Sequence, residues 1–189
     1  IITRSNQVIA EGWHQEAGGD HAEIDALKKI NFQAQNCDVY VSLEPCSHTG
    51  KTPPCADALI NAKVKRVFIA ATDPNPIVAG RGIQKLLAAG TQVHTNLLPH
   101  LTQEANKGFF KRMQHKMPYI TCKMASSLDG RTADISGNSK WITNKLSRQD
   151  VQMLRAENCA IITGIATVLA DNPQLNIRDT NALQYIQHN

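Results

Sequence analysis

Residues 44–55 read EPCSHTGKTPPC, and residues 21–23 read HAE. Together these stretches supply one imidazole, His21, two thiols, Cys46 and Cys55, and one carboxylate, Glu23. A catalytic zinc keeps three protein ligands and leaves its fourth position open. His21, Cys46 and Cys55 fill that requirement, and Glu23 is then free to move protons. Two thiolates balance the charge of a dication, so a partly buried centre is tolerable. Either half of the pattern alone is weak evidence; in this order and on the elements described next, the combination is specific.

Working outward, Val39, Val41 and Leu43 alternate as a strand that delivers Pro45-Cys46 at its end. Pro53-Pro54 precede a short helix that begins near Cys55. Its N-terminus carries partial positive charge, which favours thiolate over thiol. Upstream, Ile1–Thr3 and Val8–Glu11 form a hairpin turning at Ser5-Asn6. A glycine loop at residues 17–19 leads to Asp20, which is expected to cap a helix, with Glu23 completing a capping-box pair. The apolar stripe of Ala22, Ala26, Leu27 and Ile30 continues that helix. Residues 64–71 form a strand buried on both faces. The loop Asp73-Pro74-Asn75-Pro76 follows it. Then come a helix at 82–89 stopped by Gly90, a strand at 91–95 and a helix at 101–115. This alternation predicts an α/β fold, a largely parallel sheet with helices on both faces and functional groups beyond the carboxyl ends of strands.

Pro118 marks a boundary. A strand at 119–125, a turn at 126–130, a helix at 144–157, a strand at 160–163 and a helix at 164–170 are expected after it. The chain opens on a strand already under way and stops at His188-Asn189, so a fragment is expected.

With 189 residues, 42% of them hydrophobic, the chain can bury one core and part of another. Its net charge of +4 is spread along the sequence. That suits a phosphorylated small molecule and argues against nucleic acid, which favours clustered Lys and Arg with aromatic platforms. No apolar run reaches membrane-spanning length and the opening residues show no signal-peptide pattern, so no membrane partner is expected. Of five cysteines, two belong to the metal pattern. Cys37, Cys122 and Cys159 are read as small buried apolar residues, and the free thiols point to a cytoplasmic protein.

The H-x-E…P-C…C order resembles the zinc-dependent nucleobase deaminases. The stretch of eight residues between Cys46 and Cys55, where that pattern has two, points to a particular branch. EPCSHTGKTPPC, with HAE upstream and DPNPIVAGRG (73–82) downstream, resembles the riboflavin-biosynthesis bifunctional deaminase/reductase family. NKGFFKRM, PYITCKMASSLDGRTA, SGNSKWIT and LRAENCAIITGIATVLADNPQLNIR, within residues 106–178, resemble the start of that family's reductase domain. The resemblance implies a cytidine-deaminase-like three-layer sandwich with a mostly parallel sheet, followed by the start of a dihydrofolate-reductase-like domain. It places a zinc-dependent deaminase domain, lacking the family's opening helix, at 1–117, and the N-terminal part of a truncated reductase domain at 118–189. The implied activities are deamination of 2,5-diamino-6-(5-phosphoribosylamino)pyrimidin-4(3H)-one and NADPH-dependent reduction of the ribose of its product, 5-amino-6-(5-phosphoribosylamino)uracil. From a reductase portion of this extent, little reduction is expected. Asp20 stands where the family usually has proline before His-Ala-Glu.

By the same resemblance His21, Cys46 and Cys55 are zinc ligands, Glu23 is the proton shuttle, and His14, His48, Lys51, Asp73 and Asn75 line the deaminase pocket. The bland alternative makes Lys51 a solvated loop charge and Asp73 a turn former before Pro74, and for Asp73 the two readings are nearly balanced. Ala125, Trp141, Thr167 and Asp171 match NADPH positions; Ser139, Arg155, Leu175 and Arg178 match substrate positions. Bottom-up, Arg155 and Arg178 are either phosphate forks or helix-surface charges, and Trp141 is a stacking surface or a packing residue. Two other classes remain: a deaminase of nucleosides or nucleic acid, and a non-catalytic zinc-stabilised scaffold with His48 or Cys37 as fourth ligand. A homo-oligomer is compatible with all three.

Overall fold

The computed structural model describes residues 1–188. The chain divides into two compact units, residues 1–120 and 121–189.

The first unit is built on a five-stranded sheet: β1 (Ile2–Arg4), β2 (Gln7–Ala10), β3 (Asp38–Leu43), β4 (Arg66–Ala71) and β5 (Gln92–His94). The spatial order is β2-β1-β3-β4-β5. β3, β4 and β5 run parallel, while β1 pairs antiparallel with both β2 and β3, so the sheet is mixed. The hairpin turns at Ser5 and Asn6, both at positive φ (49° and 62°), the type I′ geometry that matches the twist of its strands.

Helices α1 (Ala22–Lys29), α2 (Cys55–Asn61) and α3 (Arg81–Ala88) contribute to one apolar core. That core joins Val39, Val67 and Ile69 of the sheet to Leu27, Leu59 and Leu86 of the helices, all essentially buried. Lys85 of α3 pairs with Asp57 of α2 (2.6 Å). Successive strand residues alternate faces, so Tyr40, Phe68 and His94 share the opposite face, where their rings stack at 4.7 Å centroid spacing. Strand β4 is thus fully buried only at Val67, Ile69 and Ala71 and not, as expected, on both faces. α4 (Pro99–Ala105) packs on β4.

Two further expectations give way in this unit. Asp20 does not cap α1. His21 takes the N-cap position without a side-chain bond, and the Asp20 carboxylate pairs instead with Lys28. The single helix at 101–115 is two, α4 and α5 (Lys107–His115), broken at Asn106 (φ −122°, ψ 30°). The Asn106 side-chain amide donates to Thr102 O (3.0 Å), the local competition that makes Asn a poor helix-interior residue.

The second unit holds α6 (Lys145–Ala156), α7 (Ile165–Asp171) and α8 (Thr180–His188), with α6 packed on α8. Asn144 caps α6, its Oδ1 accepting from Ser147 N (2.9 Å). Neither strand expected here forms: 119–125 and 160–163 are irregular. A strand needs a partner ladder for its backbone groups, and these segments have none. Among the described residues the only buried hydrophobic side chain of this unit is Ala182. Cys37 is buried as expected, but Cys122 and Cys159 are exposed because they lie on these unpaired segments.

Candidate functional site

The carboxyl ends of β3 and β4, with the N-terminal ends of α1 and α2, assemble the site. β3 ends at Leu43, and Cys46 follows in the next turn. Cys55 opens α2 and is fully buried. The loop between them is closed twice: Ala56 N donates to Cys46 O (3.0 Å) and Cys55 N donates to Cys46 Sγ (3.2 Å). His21 precedes α1, and Glu23 lies in its first turn. Residues two apart on a helix diverge; His21 and Glu23 converge because His21 has extended backbone (ψ 160°) outside the helix proper.

His21 Nδ1 lies 3.6 Å from Cys46 Sγ and 3.3 Å from Cys55 Sγ. The ligand atoms of the three residues all lie within 4.8 Å of one another. Tetrahedral zinc with its usual bond lengths sets such N···S edges at about 3.5 Å, so the donor set and its spacing fit that ion. The other imidazole nitrogen, Nε2, faces Thr52 Oγ1 at 3.5 Å. The Cys46 thiol is lowered to about 5, chiefly by its hydrogen bond with Cys55, whose own thiol is raised by the same shared proton. Burial pushes the Glu23 carboxyl up, and that carboxyl is close enough to interact with Cys55, Cys46 and His21. Neither Cys37 nor His48 completes a four-ligand shell among the described residues. Cys37 points its thiol at Gln35 O (3.7 Å) before β3 begins.

A cavity of about 230 Å³ opens beside the cluster, lined by His14, Gly18, Gly19, His21, Cys46, His48, Gly50, Lys51 and Thr52. His14 meets His21 edge to face (5.5 Å), and its Nδ1 lies 2.9 Å from Asp20 O. Lys51 lies across Gly18, where an added Cβ would stand 3.1 Å from its Cδ. Asp73 is buried beyond the end of β4; burial pushes its carboxyl up, and its field reaches Glu44, His48 and Cys46. Its Oδ1 also accepts from Asn75 N (2.7 Å), so it forms the turn, and neither Asp73 nor Asn75 is among the residues that line this cavity. Asn75 Oδ1 accepts from Ile77 N (3.1 Å).

Two contributors were absent from the sequence reading. Thr52 carries no signal beyond its place in the Cys46–Cys55 loop. Glu44 does carry one, an acid directly between a buried strand and Pro-Cys, and its carboxylate is almost wholly buried (4% exposed).

In the second unit the expected residues fall into three groups and one separate position. Ser139 and Trp141 line an open cavity of about 750 Å³, and Trp141 stacks under Arg148 at 4.4 Å. Arg155, Leu175 and Arg178 meet at the 174–178 loop. There Arg155 Nη1 donates to Gln174 O (3.0 Å) and Asn176 O (2.7 Å), and Arg178 Nη1 to Asn176 Oδ1 (2.9 Å). Both guanidiniums are thus partly occupied by the loop. Thr167 and Asp171 lie one turn apart on α7, and Ala125 is in the irregular 119–125 stretch. Among the described residues no hydrogen bond or ring contact joins these groups.

Fold and site define a zinc-binding deaminase architecture followed by a second, distinct unit, and comparison with known proteins agrees. Residues 1–71 match the cytidine and deoxycytidylate deaminase zinc-binding region, and residues 118–187 the RibD C-terminal domain. Over nearly its whole length the chain is similar to riboflavin biosynthesis proteins RibD. It is 51% identical to riboflavin biosynthesis protein RibD of Escherichia coli over 178 residues, covering 94% of this chain and 48% of that protein. Against RibD of Bacillus amyloliquefaciens the identity is 46%, covering 97% of this chain and 50% of that protein. The solved structure of Acinetobacter baumannii RibD superposes with a TM-score of 0.89 at 53% identity, covering 95% of this chain and 50% of that one. A Thermotoga maritima diaminohydroxyphosphoribosylaminopyrimidine deaminase/5-amino-6-(5-phosphoribosylamino)uracil reductase gives 0.89 at 39% identity, covering 95% and 52%. The chain spans about half the length of these relatives.

Proposed function

We propose that residues 1–117 form a zinc-dependent hydrolytic deaminase domain acting in riboflavin biosynthesis on 2,5-diamino-6-(5-phosphoribosylamino)pyrimidin-4(3H)-one, and that 118–189 belong to a reductase domain. The observation that carries this reading is the convergence of one imidazole and two thiols within 4.8 Å, with the half-buried Glu23 carboxylate beside them and no fourth protein ligand among the described residues.

His21 Nδ1, Cys46 Sγ and Cys55 Sγ would hold the ion. Bound zinc supplies a water activated for attack near neutral pH. Glu23 does the rest of the proton work: its carboxylate takes a proton from the attacking water and passes it to the ring nitrogen, then takes the hydroxyl proton of the resulting ring adduct and delivers it to the amine, which departs as ammonia while the carbonyl forms. Burial that raises its carboxyl suits a group that must both accept and donate. Thr52 Oγ1 faces His21 Nε2 and favours the tautomer whose Nδ1 lone pair points at the sulfurs. Lys51 and His48 stand on the cavity wall where a substrate phosphate can be met, and Asp73 supplies an acceptor for ring amino groups.

NADPH is the cofactor proposed for 118–189. Of Ala125, Trp141, Thr167 and Asp171, Trp141 lines the cavity of about 750 Å³ there. The test is ammonia release by the zinc-loaded chain. The phosphoribosyl diaminopyrimidine is expected to be turned over and cytidine not; the reverse preference would place the chain among nucleoside deaminases.

A further inference from the structure

Glu44 sits where the metal loop and the Asp73 loop meet. It extends the β3–β4 ladder, its N–H donating to Ala71 O (3.1 Å), and its carboxylate turns inward. Oε2 accepts from Gly80 N (2.9 Å) and Asp73 N (3.4 Å); Oε1 accepts from Gly82 N (2.9 Å) and Ile83 N (3.2 Å). A carboxylate has about four lone-pair sites, and four backbone donors occupy them. Helix α3 has no cap of its own, since its N-cap residue is Gly80, so Glu44 caps it from a distant point in sequence. Capping alone would need only the donors at Gly82 and Ile83. The other oxygen holds Asp73 N and Gly80 N, the two ends of the 73–80 segment. The fit is close: a Cβ at Gly82 would stand 1.9 Å from Pro45 O and 3.2 Å from Glu44 Oε1.

We infer that Glu44 is a positioning residue. It braces the segment bearing Asp73 and Asn75 against the loop bearing Cys46, and so sets where a substrate ring lies relative to the metal ligands. The inference rests on the deaminase reading for its kinetic consequence, not for its geometry. Two residues along the chain from a ligand, Glu44 spends its carboxylate on backbone donors and leaves the metal to others.

The test is E44Q in the full chain. A glutamine keeps the shape but faces two of the four N–H donors with an NH₂ group. Expected are unchanged zinc stoichiometry, kcat within about threefold of the parent, and KM for the diaminopyrimidine raised about tenfold or more. Combined with D73N, which is expected to raise KM on its own, the double variant should be little worse than the worse single. Amide exchange across 72–83 should accelerate. If E44Q does not accumulate folded, E44D, which keeps the charge but withdraws it by one methylene, reads the same split. An unchanged KM with only a lowered melting temperature, loss of zinc, or full multiplication of the two single effects would overturn the inference. If the zinc-loaded parent releases no ammonia from any pyrimidine, the deaminase reading fails. Amide exchange then decides alone: acceleration confined to 72–83 upholds the brace, and unchanged exchange there removes it.

Discussion

Glu23 and the three ligand residues have separable consequences when replaced. E23Q keeps the size of the side chain and removes none of the three ligand atoms, so bound zinc should remain near one per chain while ammonia release falls about 100-fold to 10,000-fold. C55S or H21A removes a donor and should lose both zinc and turnover; atomic absorption beside an ammonia assay distinguishes the two outcomes. Turnover by E23Q near the parent level would end the proton-shuttle role. Much of this was legible in the residues themselves. The donor types, their order and the spare acid are chemical statements that need no coordinates. What was not legible is geometric. Thr52 against His21, and Glu44 binding four amides, depend on how the backbone turns between residues, and no spacing rule encodes that.

At the scale of elements, the first unit follows its sequence where local preference and packing agree. β3 and β4 alternate, bury one face on α1–α3 and deliver Cys46 and Asp73 beyond their ends. L59A, which empties a fully buried position of α2, should cost about 2–5 kcal/mol by chemical denaturation. G82A places a methyl against Pro45 O and should cost about 1–3 kcal/mol, or more if α3 cannot shift. Asp38 at the start of β3 is held below the usual carboxylate range by its hydrogen bonds with Arg66, which faces it across the sheet. Because its folded value is depressed, the stabilisation is present above the unfolded aspartate value of about 3.9 and is lost as pH falls through the folded one. The stability difference between parent and D38N should therefore be present at pH 6 and shrink below about pH 4; a gap that persists at the lowest pH would contradict the pairing. Sequence reasoning failed where a competing partner decided the outcome. Asp20 prefers Lys28 to a cap, and Asn106 breaks a helix by bonding its own backbone.

Across the whole molecule, burial is uneven. Among the described residues nearly all the buried apolar side chains belong to residues 1–120, whereas Met124, Leu128, Ile135 and Ile162 of the second unit are largely exposed. The two strands expected at 119–125 and 160–163 have apolar sequence but no ladder. Their apolar pattern was legible, but the pairing that would realise it was not, because a strand's partner is set by distant chain. Amide protection should accordingly be strongest in β3 and β4 and weaker throughout 121–188; uniform protection across both units would contradict this division.

The central claim is that His21, Cys46 and Cys55 hold one zinc and leave a position open. X-ray absorption at the zinc edge of the metal-loaded chain tests it most directly. Two sulfur neighbours at about 2.3 Å and two nitrogen or oxygen neighbours are expected, with one oxygen exchanging when a substrate analogue is added. A shell of protein ligands alone, indifferent to the analogue, or a chain that holds no zinc, would contradict it.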